Sequence, residues 1–398
     1  MNSPKTIAVM MENLEYGGAT THLKTLIKNK VFSNTNFILI TNKSNKAIGN
    51  SFKIKNKNIK IIFYKSFNIF DMNSKILKIL FLVFKPLFFL LSILQMYKLF
   101  KKIKFDLLIA NCGGYGDFRS EMACLIANKI LKNQKIYLLI HHCYTKPLFW
   151  SFLINIFNYF ISHCISGVIF VSKATKLTIK KNTALLNNKM LNNTVIHNGV
   201  EIKKFSKQII PSLKTNSKVI KIGMLSRIEK YKGQLDLIEG FNKLSKNYKS
   251  KCIVFLVGSG KIRDMKLITQ KIKSLKLMNK IKLLNYVNED SYKIINNFDL
   301  LISATRDFEA FGYSIAEALF VKTPVMCTNV GGVKEFVNNK NAIIIQPNNI
   351  QSIKKSLIYF ISNKKKIKKK ISNGHKMIKE KFNSDIMCKK FFKYFSYA

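Results

Sequence analysis

Short apolar runs that alternate with helix-spaced stretches restrict this 398-residue chain to parallel α/β architecture. The runs are expected as strands near Thr6–Met10, Phe37–Thr41, Ile59–Tyr64, Asp106–Ala110, Ile136–Ile140, Gly167–Val171 and Thr194–His197. A second series follows at Val219–Leu225, Cys252–Val257, Ile281–Leu284, Leu300–Ser303, Val325–Thr328 and Ala342–Ile345. Strands buried on both faces read as continuous Ile, Leu and Val rather than as alternation. Between the two series lies Phe205–Ser217, polar and with Pro211, which reads as a linker. The length suits about two domains, and 47% hydrophobic residues suffice for a core in each.

Charge narrows the partners. Lys+Arg 68 against Asp+Glu 20 leaves a net charge of +48. Nucleic-acid binding, attraction to an anionic membrane and codon bias toward Lys, Asn and Ile compete to explain it, with codon bias the favoured background cause. A surface this basic is drawn to anionic lipid or polyanions whatever its origin. The basic residues are scattered and accompany no RNA- or DNA-binding motif, which sets nucleic acid aside. Seven cysteines lack C-x-x-C spacing and sit mostly in apolar runs, so they read as buried thiols of a reducing cytoplasm. Met1–Lys5 leads directly into a strand and reads as lacking a signal peptide.

The apolar stretch from Ile76 to Phe100 is interrupted by Lys78, Lys85 and Pro86, and its unbroken part is too short to span a bilayer. Lys98, Lys101, Lys102 and Lys104 follow it. An in-plane interfacial helix and a long core helix of the first domain are both open readings. The tail from about Ser352 has helical spacing and ends in Phe391-Phe392-Lys393-Tyr394-Phe395.

Several strand ends carry chemistry. After the run ending at Ala304 come Glu309 and Glu317, eight positions apart, with Gly312 at the expected helix start. At the carboxyl edge of an α/β sheet such carboxylates face a ligand. The N–H groups of Ala310, Phe311, Gly312 and Tyr313 would sit at a helix N-terminus, which favours a phosphate. Hydroxyl acceptors beside phosphate donors suit a nucleotide-sugar. Arg227 and Lys232 close a loop before Gly233 and can converge on one diphosphate, Arg as a fork and Lys as a point charge. Gly17 and Gly18 allow close backbone approach at another helix start. His141 and His142 end the run Ile136–Ile140, and either can enter a cleft. Adjacent strand residues point to opposite sides, so the two are a poor metal pair. Asn198-Gly199 reads as a positive-φ hinge turn, Gly258-Ser259-Gly260 as a nucleotide loop, and Val330–Glu335 as a largely structural turn.

In this order the motifs resemble glycosyltransferase family 4 (group 1), the retaining nucleotide-sugar enzymes of GT-B type, from residue 5 to about 345. The similar patterns are G-G-x-x-x-H at Gly17–His22, V-S-K at Val171–Lys173, N-G-V at Asn198–Val200, the Arg227…Lys232 clamp, G-x-G at Gly258–Gly260, E-x7-E at Glu309–Glu317 and G-G-x-x-E at Gly331–Glu335. Ser226 stands where the family commonly has glycine.

The resemblance implies two Rossmann-like domains facing across a cleft, with the last helix crossing back to the first. The expected divisions are 1–205 for the acceptor domain, 206–218 for the linker, 219–380 for the nucleotide-sugar domain and 381–398 for the returning helix. It implies sugar transfer with retention from a nucleotide diphosphate-sugar to an acceptor hydroxyl, needing neither cofactor nor metal, with the donor as substrate. Arg227 and Lys232 would neutralise the leaving diphosphate, Glu309 hold the donor sugar and Glu317 the ribose. Gly17, Gly18 and Gly258 would approach the donor, His141 would lie near sugar and acceptor, and His22 would be structural. A glycan or lipid-linked acceptor at the inner face of the cytoplasmic membrane, as in lipopolysaccharide, capsule or O-antigen synthesis, is the expected setting. The rivals are a GT-B sugar-phosphate synthase or epimerase, and a non-catalytic polyanion- or lipid-binding module.

Overall fold

The protein is described from a computed structural model covering residues 4–12, 16–65, 74–116, 119–131, 134–146, 153–204, 208–216, 219–285 and 290–397. Residues 205–207 and 217–218 of the expected linker region lie outside the described residues. The chain divides into two compact units, Met1–Gly199 with Ser384–Ala398, and Val200–Asn383.

The first unit holds β1 (Thr6–Met11), β2 (Asn36–Asn42), β3 (Ile59–Tyr64), β4 (Leu107–Cys112), β5 (Lys135–Ile140), β6 (Gly167–Phe170) and β7 (Asn192–Val195). They form one parallel sheet in the order β3-β2-β1-β4-β5-β6-β7. Its helices are α1 (Gly18–Lys28), α2 (Lys46–Asn50), α3 (Lys75–Val83), α4 (Lys85–Lys101), α5 (Ser120–Leu131), α6 (Ile154–Cys164) and α7 (Lys173–Asn182). Ser172 of the V-S-K motif caps α7, its side chain accepting from the Thr175 N–H at 3.1 Å, so that motif does helix-capping work.

The second unit has β8 (Ile220–Leu225), β9 (Cys252–Val257), β10 (Ile281–Leu284), β11 (Leu300–Ser303), β12 (Val325–Thr328) and β13 (Ile343–Ile345). Again all are parallel, in the order β10-β9-β8-β11-β12-β13. Helices α8 (Gln234–Asn242), α9 (Lys246–Ser250), α10 (Ile262–Ser274), α11 (Ser291–Asn296), α12 (Tyr313–Phe320), α13 (Ile350–Ser362) and α14 (Lys368–Lys381) accompany them. Strand β9 shows why the runs are continuously apolar. Phe255 and Val257 enter the core on one face, while Cys252, Val254 and Leu256 enter the core on the other.

The last helix, α15 (Ser384–Tyr397), belongs to the first unit, where it packs on α1. Tyr394 and Phe395 lie 5.3 and 5.2 Å from the Tyr137 ring, giving the aromatic tail a core to fill.

Three local expectations change. Ile210 and Leu213, in the segment read as linker, are buried in the core of the second unit. The Asn198-Gly199 turn is not left-handed: neither residue is among the positive-φ positions. Asn198 Oδ1 instead accepts from His22 Nδ1 at 2.8 Å, and the Gly199 N–H meets Met387 Sδ at 3.2 Å. Side-chain and backbone bonding, not turn geometry, explains that pair. Finally, the apolar stretch 76–100 is two helices that break at Phe84, with Pro86 in the first turn of the second, where its missing N–H costs nothing.

Candidate active site

In both sheets the strand order reverses beside the first strand, between β1 and β4 and between β8 and β11. Loops leaving such strands diverge to opposite sides and open a crevice at the carboxyl edge. Arg227 and Lys232 lie in the loop after β8, and Glu309 in the loop after β11. The topology therefore brings together residues that are 77 apart in sequence.

Lys232 Nζ donates to Glu309 Oε2 at 2.7 Å, with only 12% and 16% of the two side chains exposed. Burial, the largest single influence, lowers the Lys232 pKa, but the Glu309 carboxylate and Tyr231 together outweigh it, and the net shift is upward. The lysine stays a cation. Thr305 Oγ1 reaches the same Glu309 oxygen at 3.3 Å. Arg227 is turned differently: its guanidinium bonds Glu229 Oε1 at 2.9 Å and the Tyr231 hydroxyl at 3.0 Å. Tyr231 joins the two cations, since Lys232 Nζ also sits 5.0 Å from its ring centroid.

Glycine geometry holds Glu309 in place. Gly331 has φ +56°, and a Cβ there would lie 2.3 Å from the Glu309 carbonyl oxygen, so only glycine fits. The next residue, Gly332, donates its N–H to that same carbonyl at 2.8 Å. The turn after β12 thus fastens the Glu309 backbone. Gly258 packs as closely on the loop after β8, where a Cβ would meet the Ser226 carbonyl at 1.9 Å.

Gly312, at φ +86°, precedes α12 and leaves it without a side-chain cap or an acidic residue in its first turn. The N–H groups at that end are positioned for an anion. Phe311 and Ala310 are buried, with the Phe311 ring 5.1 Å from Phe336, so only their backbones are available to a ligand. Tyr313 opens α12 and packs edge-on to Phe311 at 5.2 Å. Glu317 lies one turn further, almost fully buried. Burial pushes its carboxyl up to about 8, helped by Asp290, while a hydrogen bond from Ser291 and the Lys203 charge pull the other way. Burial thus favours the neutral form of the Glu317 carboxyl, which can donate as well as accept a hydrogen bond.

In the first unit, Gly17 precedes α1 in extended conformation, and a Cβ there would meet no atom within 4 Å. Packing does not demand a glycine at that position. Gly18 is exposed at the first position of α1. His141 is buried, its Nε2 2.8 Å from Asn111 Oδ1, and its buried Nδ1 has no partner among the described residues. Burial and the neighbouring His22 hold it well below its ordinary pKa, so it is neutral. His142 is half-buried, with Nδ1 3.1 Å from Cys143 Sγ. His22 is wholly buried, bonded to Asn198 and 5.2 Å from Phe391, and burial takes its pKa to about 4 despite that bond. That environment is structural.

Sequence reading missed several partners. Arg306 forms a two-point pair with Asp236 of α8, at 2.7 and 2.6 Å, and its N–H donates to the Tyr231 carbonyl at 2.8 Å. These bonds lock the Glu309 loop to the Arg227–Lys232 loop. A composition with 68 basic residues hid Arg306, although its place three residues after β11 was a usable signal. Lys203, which pairs with Asp290 at 2.7 Å near Glu317, had no local signal at all.

Residues 205–377 match the family model for glycosyl transferases group 1. This segment is a group 1 glycosyltransferase domain. Over 95% of its length the chain is 25% identical to an uncharacterized glycosyltransferase of Methanocaldococcus jannaschii, covering 94% of that protein. It is 27% identical to the capsular polysaccharide biosynthesis glycosyltransferase CapM of Staphylococcus aureus, over 58% of this chain and 63% of CapM. A Rickettsia africae glycosyltransferase structure superposes with a TM-score of 0.74 at 23% identity, covering 98% of this chain and 97% of that one. Anabaena HepE, crystallised with UDP and glucose, gives 0.73 at 18% identity, with 99% and 100% covered. The glycosyltransferase domain lies within a chain of GT-B fold.

Proposed function

We propose that the protein is a metal-independent, retaining hexosyltransferase that uses a nucleotide diphosphate-sugar, with UDP the first nucleotide to test. The observation that carries this reading is the Lys232–Glu309 pair at 2.7 Å, beside Arg227 and the open N-terminus of α12. Breaking the sugar–phosphate bond builds negative charge on the departing diphosphate. Fixed cations stabilise that charge more in the transition state than in the ground state, typically by about 3–4 kcal/mol per donor removed. Once a donor binds, Lys232 exchanges the Glu309 carboxylate for phosphate oxygens, which frees Glu309 to accept from sugar hydroxyls. Glu317 meets the ribose as a neutral acid. The N–H groups of Ala310–Tyr313 and the Gly258 backbone approach the phosphates.

In the first unit, Gly17 and Gly18 are assigned to the donor and His141 to the sugar and acceptor, by the resemblance of their motifs. The empty surroundings of Gly17 and the unpartnered Nδ1 of His141 support that assignment. The acceptor is read as a lipid-linked glycan precursor of lipopolysaccharide, capsule or O-antigen type at the inner face of the cytoplasmic membrane. Its support is the net charge of +48 and the likeness to a capsular polysaccharide enzyme.

Thermal unfolding with UDP, GDP, ADP and CMP tests the donor assignment. One nucleoside diphosphate should raise the midpoint by several degrees, and Arg227→Ala and Lys232→Ala should abolish the rise. No protection by any of them would remove the reading. Anomeric analysis of the product by NMR then decides retention.

A further inference from the structure

Helix α4 is apolar on two faces. Phe89, Met96 and Phe100 lie in the core of the first unit. On the other side Leu87, Leu90, Leu91 and Leu94 are exposed, Leu90 and Leu94 at 57% each. The exposed set has i, i+3, i+4, i+7 spacing, so it forms one stripe. Helix α3 continues the apolar surface with Ile76, Ile79 and Val83, of which Ile76 is 70% exposed. Single exposed leucines are ordinary, but an apolar surface running along two consecutive helices is not.

We propose that the exposed apolar face of α3 and α4 is a monotopic membrane-insertion surface, occupied by the headgroup–acyl boundary of an anionic bilayer. Charge decides the occupant. Exposed Lys98, Lys101, Lys102 and Lys104 border the stripe at the end of α4, and the chain carries +48 overall. A second copy would bring like charge against like, whereas anionic lipid supplies the opposite sign. Among the described residues no helix is long and apolar enough to cross a membrane. At about 1.5 Å per residue, the 17-residue α4 suits a helix lying in the interface plane. Lysines settle at headgroup level with their stems along the apolar surface. The proposal deepens the peripheral reading given above and rests on it for the lipid-linked acceptor alone.

Co-sedimentation of the full chain with phosphatidylglycerol/phosphatidylcholine vesicles, against phosphatidylcholine alone, tests it. The variants are Leu90→Glu/Leu94→Glu on α4 and Ile79→Glu/Val83→Glu on α3. Wild type should bind the anionic vesicles at about 0.15 M salt. Each variant should bind at least ~10-fold more weakly while keeping the wild-type melting midpoint. Wild type failing to bind, or both variants binding as wild type does, would overturn the proposal. So would a variant that dissociates a dimer in sedimentation velocity without changing vesicle binding, since the face would then belong to a second copy. UDP protection, measured on the same samples, reports separately on the donor reading.

Discussion

Lys232 and Glu309, from loops after two different strands, form a nearly buried ion pair 2.7 Å apart. Such a pair is costly to half-remove, because the remaining charge is left in a poorly solvated place. It also keeps the cation charged and aimed before any anion arrives, which is how preorganised sites lower a barrier.

Replacing the cations separates their roles. Lys232→Ala should lower the transfer rate by about 10²–10³-fold, the usual loss for one fixed stabiliser of developing charge. Arg227→Ala should weaken donor binding more than it alters the fold, since 38% of its side chain is exposed. Steady-state kinetics with a UDP-sugar, separating kcat from KM, checks both.

Glu309→Gln keeps the shape but strands the Lys232 charge. The variant should lose stability on the order of 3 kcal/mol by chemical denaturation. UDP should then stabilise it more than it stabilises wild type, because the diphosphate restores a counter-charge. Equal UDP protection of the two proteins would contradict ion-pair exchange.

The buried acid Glu317 gives a pH signature. Its folded-state pKa of about 8 lies above the ordinary value of 4.5, so the folded protein retains a proton that the unfolded chain releases. That contribution is complete below about 4.5 and is lost as pH rises through about 8. Glu317→Gln cannot lose a proton. Its melting midpoint should therefore overtake that of wild type above pH 8 and show no such gain at pH 4, in parallel melts. Glu121, pushed up to about 7 by burial, tilts the background the same way in both proteins.

Gly331→Ala should damage the site from outside it. The added Cβ meets the Glu309 carbonyl oxygen at 2.3 Å in a left-handed conformation, at a cost of more than about 1 kcal/mol. Activity should fall further than stability predicts, because the loop carrying Glu309 shifts. Comparing kcat at a temperature where both proteins are fully folded checks this.

Strand positions were legible because an apolar run is a local property, and strands buried on both faces need such runs. Observed β8 and β9 lie within or on the expected ranges Val219–Leu225 and Cys252–Val257. Arg227, Lys232 and Glu309 were legible as residues of the loops that follow strands. The Asn198-Gly199 turn was misread because Asn-Gly advertises positive φ, whereas here the Asn198 side chain is used by His22. Arg306–Asp236 and the Lys203–Asp290 neighbourhood of Glu317 went unseen, because no spacing rule links residues 70 or more apart.

Local chemistry by itself determined which strand ends bear cations, acids and glycines, since side-chain type and chain position are written residue by residue. Tertiary structure alone decided that Lys232 meets Glu309, that Arg227 turns to Glu229 and Tyr231, and that Glu317 holds a proton. Distances across a sheet and the loss of water around a carboxyl arise only when the chain packs, and no local pattern encodes them.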